Sequence, residues 1–205
     1  MEVNKKSEEK ARSLTYTVQN IVVKADLNLN SDLDLDEITK KIKNVEYDKS
    51  RFPGLFLRIL DPKCVAIIFR NGKMILTGLK SFNDVDIIIS RIFAELKSKI
   101  EIEINIKSIK SEIVNIVITA ALYDKKNLNL KIDLDLAAIK LENIIFEPEI
   151  FPALIYKSLL PVKCTFLVFS NGKIVLTGVR EKESIEPALV SFGKLLKKKE
   201  LFMKN

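Results

Sequence analysis

Two stretches rich in β-branched and apolar residues, 15–23 (TYTVQNIVV) and 112–119 (EIVNIVIT), have the pattern of strands. After each, an acidic cluster opens an apolar series of helical spacing. Asp34, Asp36 and Glu37 stand before Ile38, Ile42 and Val45; Asp133 and Asp135 stand before Ala138 and Ile139. Carboxylates in a first helical turn complement the partial positive charge of a helix N-terminus. A Phe-Pro-x-Leu motif follows at Phe52 and again at Phe151, each leading into a strand. Further apolar strands come at 64–69 (CVAIIF) and 164–169 (CTFLVF). Asn71 with Gly72, and Asn171 with Gly172, then turn the chain into strands at 74–78 (MILTG) and 174–178 (IVLTG). Asn-Gly between apolar runs is a strong hairpin signal, because both residues tolerate positive φ. Amphipathic helices at about 83–99 and 185–198 close each series, with Ser81 and Ser184 as the expected N-caps. The order β-α-β-β-β-β-α thus occurs twice. It predicts an α+β fold in which four helices cover one face of a ten-stranded antiparallel sheet and leave the other face open.

The recurrence extends to residue identity. Segments 44–80 and 143–180 share 15 identities in 37 aligned positions once Val162 is allowed as an extra residue in the second. Self-similarity over this length implies duplication of a whole structural unit rather than a solenoid of short modules. Two such units pack readily as a pseudo-dimer, because a two-fold arrangement is self-complementary. The expected organisation is a charged, non-periodic arm at 1–14, a first repeat at 15–108 and a second at 109–205. A pseudo-symmetric protein is matched to a pseudo-symmetric target, and duplex DNA is one.

Alternation sorts strand residues between the two faces. Asn20 falls with Val22, Asn115 with Val117, Ile67 with Phe69, Leu167 with Phe169, Ile75 with Thr77, and Val175 with Thr177. Helix-facing core is the simplest assignment for apolar strand residues. The two asparagines weigh against it, since a mid-strand asparagine has poor strand propensity and needs partners if buried. A two-residue loop would put Phe69 and Thr77 on opposite faces. A three-residue loop of Arg70, Asn71 and Gly72, with Gly72 left-handed and a bulge, puts them on the same one.

Charge narrows the class of partner. The net charge is +7 and the pI about 9.2, which favours an anionic partner, nucleic acid before membrane surface. No apolar run reaches membrane-spanning length and no signal peptide is visible, so an intracellular protein with no membrane partner is expected. The chain has no histidine, which removes the commonest general base and metal ligand. Cys64 and Cys164 occupy equivalent places inside apolar runs and read as small buried strand residues; two cysteines make no zinc site. No paired carboxylates fall on the proposed open face, so metal-dependent hydrolysis lacks its residues. No enzyme, cofactor or metal is expected.

In order, QNIV at 19–22, RFPGLFLRI at 51–59, FRNGKMILTG at 69–78, EPEIFPALIY at 147–156 and FSNGKIVLTG at 169–178 resemble motifs of the TATA-box-binding protein family. The resemblance covers both repeats, from about residue 15 to the C-terminus. It implies a saddle: a curved antiparallel sheet with helices on the convex side and the minor groove of DNA on the concave side. Phe52 and Phe69, with Phe151 and Phe169, resemble intercalating pairs. Asn20, Asn115, Thr77 and Thr177 match groups that hydrogen-bond base acceptors. Val22, Val117, Ile67, Leu167, Ile75 and Val175 match the apolar groove contacts. Arg51, Arg58, Lys73 and Lys80, with Lys157, Lys173 and Arg180, match phosphate contacts. Glu147, Glu149 and Ile150 lie in the loop that, in the family, meets transcription factor IIB. The implied role is a general transcription initiation factor that kinks TATA-like DNA and nucleates assembly of the RNA polymerase machinery. It would act as a monomer on DNA, and its apolar face invites pairing of two copies when free. The location would be the nucleus in a eukaryote and the cytoplasm or nucleoid in an archaeon.

The chain departs from the family pattern at four points. Val114 stands where a glutamine usually precedes the asparagine, Ile150 stands opposite Arg51, and Val162 lengthens a strand junction. The helix NDVDIIISRIFAELKSK is less basic than the eukaryotic form, which argues against a transcription factor IIA-type partner. Two alternatives stay open at this point: a related paralogue with altered DNA or partner preference, and a protein-binding scaffold using the concave face.

Overall fold

The computed structural model describes residues 15–100, 109–122 and 130–203. The expected arm at 1–14 lies outside the described residues, and the repeat boundary expected at 108/109 falls at the edge of them. The first half runs β1 (Tyr16–Asp26), α1 (Leu35–Lys41), β2 (Val45–Glu46), β3 (Leu55–Leu60), β4 (Lys63–Ile68), β5 (Lys73–Leu79) and α2 (Asp84–Lys99). The second repeats it as β6 (Lys110–Ala121), α3 (Leu134–Lys140), β7 (Ile144–Ile145), β8 (Leu154–Ser158), β9 (Cys164–Val168), β10 (Lys173–Val179) and α4 (Ile185–Lys198). All ten strands join one curved antiparallel sheet in the order β2-β3-β4-β5-β1-β6-β10-β9-β8-β7. β1 and β6 therefore pair at the centre, and each half fans outward from them.

The three-residue loops form as their parity requires. Phe69 donates its N–H to the carbonyl of Lys73 at 2.9 Å, and Gly72, at φ +77°, donates to the carbonyl of Phe69 at 3.0 Å. The second loop repeats both bonds at 3.0 Å, with Gly172 at φ +80°. Ile67 then pairs with Ile75, and Leu167 with Val175, which keeps Phe69 and Thr77 on one face.

Several boundaries differ from the sequence pattern. α1 ends at Lys41, where the Ile42 N–H closes the last turn on the Ile38 carbonyl at 2.9 Å. Val45 belongs to β2 instead, because Asn44 takes a left-handed φ of +60° and redirects the chain. In α3 the buried positions are Leu134 and Ala137, while Ile139 is exposed. The aspartates preceding these helices are true caps: Asp34 accepts from the Glu37 N–H at 3.0 Å and Asp133 from the Leu136 N–H at 2.9 Å. The serines are not. Asn83 precedes α2, and Ser81 accepts the Asn83 N–H at 3.3 Å in a turn before it. Ser184 ends a short 3-10 turn and already has helical φ and ψ, a geometry in which its hydroxyl makes no cap bond.

The four helices cover the same sheet face. Ile88, Ile92 and Leu96 of α2 pack with Ile21, Val23, Ala66 and Leu76 in one core. Ala188, Phe192 and Leu196 of α4 pack with Ile116, Ile118, Phe166 and Leu176 in the other. The cores differ in kind. In the second, Phe166 stacks on Phe192 with ring centroids 4.2 Å apart, and Tyr156 stacks on both. The equivalent places in the first hold Ala66, Ile92 and Leu57. Cys64 and Cys164 are buried free thiols, one in each core. Burial pushes the Cys64 thiol up to about 11 and raises that of Cys164 as well.

Replacing Phe166 by Ala empties the centre of the stack and should cost about 3–5 kcal/mol, read as a lowered urea midpoint. Both cysteines should resist alkylation at pH 8 in the native protein and react promptly in denaturant. Because the folded Cys64 pKa is raised from 9.0, its contribution to stability is complete below pH 9 and is lost as pH rises towards about 11. A pH series of urea midpoints checks that loss.

Candidate nucleic-acid interface

What the helices leave uncovered is built from cross-strand rows. One row runs Phe56, Ile67, Ile75, Lys24 and Glu112 across β3, β4, β5, β1 and β6. Its pseudo-symmetric counterpart runs Ile155, Leu167, Val175, Thr119 and Thr17. Val22 and Val117 lie beside these rows near the middle. Neighbouring residues in each strand are buried against the helices, whereas Val22, Val117, Ile67, Leu167, Ile75 and Val175 stay partly exposed. All six expected apolar contacts therefore share one surface.

At the middle of that surface the two asparagines are held by glycines. β5 and β10 are irregular where they meet the central strands, and Gly78 and Gly178 take φ of +96° and +88° there. A Cβ on Gly78 would meet nothing closer than 3.4 Å, so conformation rather than crowding requires glycine. The Gly78 N–H donates to Asn20 Oδ1 at 2.7 Å, and the Gly178 N–H to Asn115 Oδ1 at 2.8 Å. A backbone N–H is always a donor, so each amide is oriented with its oxygen inward and its NH2 outward. Asn20 Nδ2 also donates to Thr77 Oγ1 at 3.2 Å, and the Thr177 hydroxyl approaches Asn115 Oδ1 at 3.3 Å. The four polar groups expected on the face are thus two connected Asn–Thr pairs presenting donors.

The phenylalanines stand in pairs at the two ends. Phe52 and Phe69 have ring centroids 5.9 Å apart, and Phe151 and Phe169 6.3 Å apart. The Asp48 carbonyl accepts from both the Arg51 and Phe52 N–H groups, and the Glu147 carbonyl accepts from those of Ile150 and Phe151. Each turn fixes the ring that follows it. Phe52 and Phe151 are 38% and 39% exposed, unusual for rings that could have been buried. Gly54 lies directly under the first pair: a Cβ there would come within 2.7 Å of Phe52 and 3.1 Å of Phe69. Ala153 stands at the equivalent place, beneath the wider pair.

The expected phosphate contacts are all exposed. Arg58 and Lys157 extend the outer sheet opposite Val65 and Thr165, while Lys73 and Lys173 lie opposite Phe69 and Phe169 across their loops. Two of the seven already face carboxylates: Arg51 contacts Asp48 at 3.3 Å and Arg58 contacts Glu46 at 3.1 Å. Hydrogen bonds from the Ser50 hydroxyl and N–H hold the Asp48 carboxyl below its usual value. Glu147, Glu149 and Ile150 form an exposed turn beside Phe151, with Ile150 80% exposed. Among the described residues no cluster of His, Cys, Asp and Glu could hold a metal.

The profile described as "Transcription factor TFIID (or TATA-binding protein, TBP)" matches residues 15–99 and 110–199. The chain belongs to the TATA-box-binding protein family. It is 41% identical over 184 residues to a TATA-box-binding protein of Pyrodictium occultum, covering 90% of this chain and 87% of that one. It is 39% identical over 180 residues to the Sulfolobus acidocaldarius protein of the same name, covering 87% and 86%. The solved structure of Methanococcus jannaschii TBP superposes with a TM-score of 0.77 at 34% identity, covering 89% of this chain and 98% of that one.

The sequence reading missed Gly78 and Gly178 as the groups that orient the asparagines, and it missed the positions of Lys24, Thr119, Thr17 and Glu112. Extra residues at Gln19 in β1 and at Val114 in β6 shift the alternation at Thr17 and Glu112, whereas Lys24 continues the alternation of Asn20 with Val22, and Thr119 that of Asn115 with Val117.

Replacing Asn20 by Asp retains the acceptor for Gly78 but removes the NH2 and adds charge. The thermal midpoint should change little, while affinity for an A·T-rich duplex falls at least tenfold, measured by fluorescence anisotropy.

Proposed function

We propose that the open face seats on the minor groove of TATA-like DNA, with the four phenylalanines as wedges. The protein is a general transcription factor of the TATA-box-binding family, and not an enzyme. The observation that carries the wedge reading is the pair of partly exposed rings at each end of an apolar, donor-bearing surface.

The chemistry follows from what the groove displays. A·T pairs show only acceptors there, whereas G·C pairs add the guanine amino donor. Asn20, Asn115, Thr77 and Thr177 supply donors to acceptors. The six aliphatic side chains between them offer nothing to an amino group and would desolvate it. The readout is A·T against G·C rather than base by base. Inserting Phe52 with Phe69, and Phe151 with Phe169, replaces base stacking at two kinked steps. Unstacking costs about a few kcal/mol per step, offset by the additional surface that bent DNA contacts, a mode for which this family is itself the standard example. Flexible TA steps open at least cost, which biases the site further towards TATA-like sequence.

Arg58, Lys73, Lys80, Lys157, Lys173 and Arg180 flank the face as phosphate contacts, with Arg51 once Asp48 releases it. The exposed turn of Glu147, Glu149 and Ile150 is the surface for a transcription factor IIB-like protein, through which the polymerase machinery assembles. The modest basicity of α2 disfavours a transcription factor IIA-type partner there. The protein acts as a monomer on DNA, and its uncovered apolar face would pair with a second copy in DNA's absence. The named relatives are archaeal, which favours a nucleoid location over a nucleus.

Fluorescence transfer between dyes at the ends of a TATAAA duplex, beside a G·C-rich control, tests the mechanism. Bending should occur on the TATA duplex alone. The plot of log K against log salt should slope at about −5 if some six phosphates are neutralised. Phe69→Ala with Phe169→Ala should abolish bending more than it weakens association. Binding indifferent to these substitutions would instead support a protein-binding scaffold.

A further inference from the structure

The pseudo-two-fold axis passes through the Ile21–Ile116 pair of β1 and β6, since Asn20 and Asn115 are equivalent and the same offset of 95 carries Ile21 onto Ile116. Each pair on one side of this point has a counterpart on the other. Thr17 opposite Thr119 corresponds to Glu112 opposite Lys24. In one direction from the centre the open face therefore carries two neutral hydroxyls, with Gln19 Nε2 donating to Thr119 Oγ1 at 2.8 Å. In the other it carries a cation and an anion. Lys24 Nζ and Glu112 Oε1 are 3.7 Å apart, too far for a hydrogen bond, and both side chains are more than half exposed. Lys24 lies directly opposite Ile75, so the pair continues the row proposed to meet the groove floor. Burial does not explain two charges at this place, and an exposed pair of this length adds little to stability.

We propose that Lys24 and Glu112 form a G·C-tolerant subsite in one half of the DNA interface. The guanine amino group is the one donor in the minor groove, and a carboxylate is the strongest acceptor a side chain can offer it. Glu112 accepts from guanine N2. Lys24 donates to an adjacent base acceptor and offsets the repulsion between Glu112 and the phosphates. At the equivalent place in the other half, Thr17 and Thr119 offer no charge, and an amino group there is met by hydroxyls and aliphatic carbon. The protein consequently distinguishes the two directions along a site that contains one G·C pair.

This inference rests on the minor-groove reading above. A palindromic A·T core is compared with cores carrying one G·C pair, or two symmetric G·C pairs, scanned outward from the centre. At one position the singly substituted core should bind within about threefold of the A·T core, because the protein turns to place Glu112 over the guanine. The doubly substituted core should bind at least tenfold more weakly, within the usual range for a mismatched pair. Orientation is read by fluorescence transfer from a dye on Lys99→Cys to one duplex end, the native thiols being buried. It should be random on the A·T core and fixed on the singly substituted one. Lys24→Thr with Glu112→Thr installs the residues of the other half, and its thermal midpoint verifies folding. This variant should lose both the tolerance and the fixed orientation, its penalty for one G·C pair being taken relative to its own affinity for the A·T core and becoming as large on one side of the centre as on the other.

Equal penalties for the first G·C pair at every position in the native protein would overturn the subsite and leave the minor-groove reading intact. So would tolerance that survives in the folded double variant. Failure to prefer or bend the A·T core itself would overturn both.

Discussion

The hydrogen-bonded ladder between β1 and β6 is the constraint on which the rest of the molecule depends. It runs from Tyr16 opposite Ala120 to Asp26 opposite Lys110 and makes one sheet of two halves. Without it each half would be a five-stranded sheet with an open central edge and its own core. With it, the spacing between the two phenylalanine pairs is set by strand geometry rather than by a flexible linker. The wedges proposed to act on one duplex need that fixed separation. The face between them stays uncovered because all four helices pack on the opposite side, where the two cores hold them.

Two small backbone devices decide what the face presents. The loops closed by Gly72 and Gly172 add one residue beyond a tight hairpin and so bring phenylalanine and threonine to the same side. The irregularities at Gly78 and Gly178 free an N–H that would otherwise belong to the ladder, and each is taken by an asparagine oxygen. Asparagine in mid-strand is unfavourable in general. Here its oxygen is satisfied internally, and the NH2 hydrogen that does not go to the neighbouring threonine is left for a ligand, a division of roles that a leucine or a serine could not reproduce.

Much of this was legible before any coordinates. The duplicated order of elements and the open face follow from turn chemistry and alternation, whereas the parity of the hairpins follows from the family resemblance that puts Phe69 and Thr77 on one face, since Asn-Gly alone suits a two-residue loop as well. Helix ends were less legible. Val45 carried an apolar pattern onward past the point where Asn44 stops the helix, and Ser81 and Ser184 had cap chemistry without cap geometry. The charged pair of Lys24 and Glu112 was hidden for a different reason. Simple alternation puts Lys24 with Asn20 and Val22, but the extra residue at Val114 leaves no composition signal, so the same rule puts Glu112 on the wrong face and hides its pairing with Lys24. Aligning the two central strands with one another, at their own offset of 95 rather than the 99 of the later segments, recovers it.

The sheet ends on both sides in strands of only two residues, Val45–Glu46 and Ile144–Ile145. A protein obliged to keep a broad apolar surface in water is exposed to aggregation by two routes, stacking of faces and lateral addition of strands. Brief outer strands offer too few unpaired backbone groups to template another chain, which closes the second route. Solubility before a promoter is found then depends on the charged rim alone, so crowded, high-salt conditions that screen the rim threaten the free protein more than they threaten its fold.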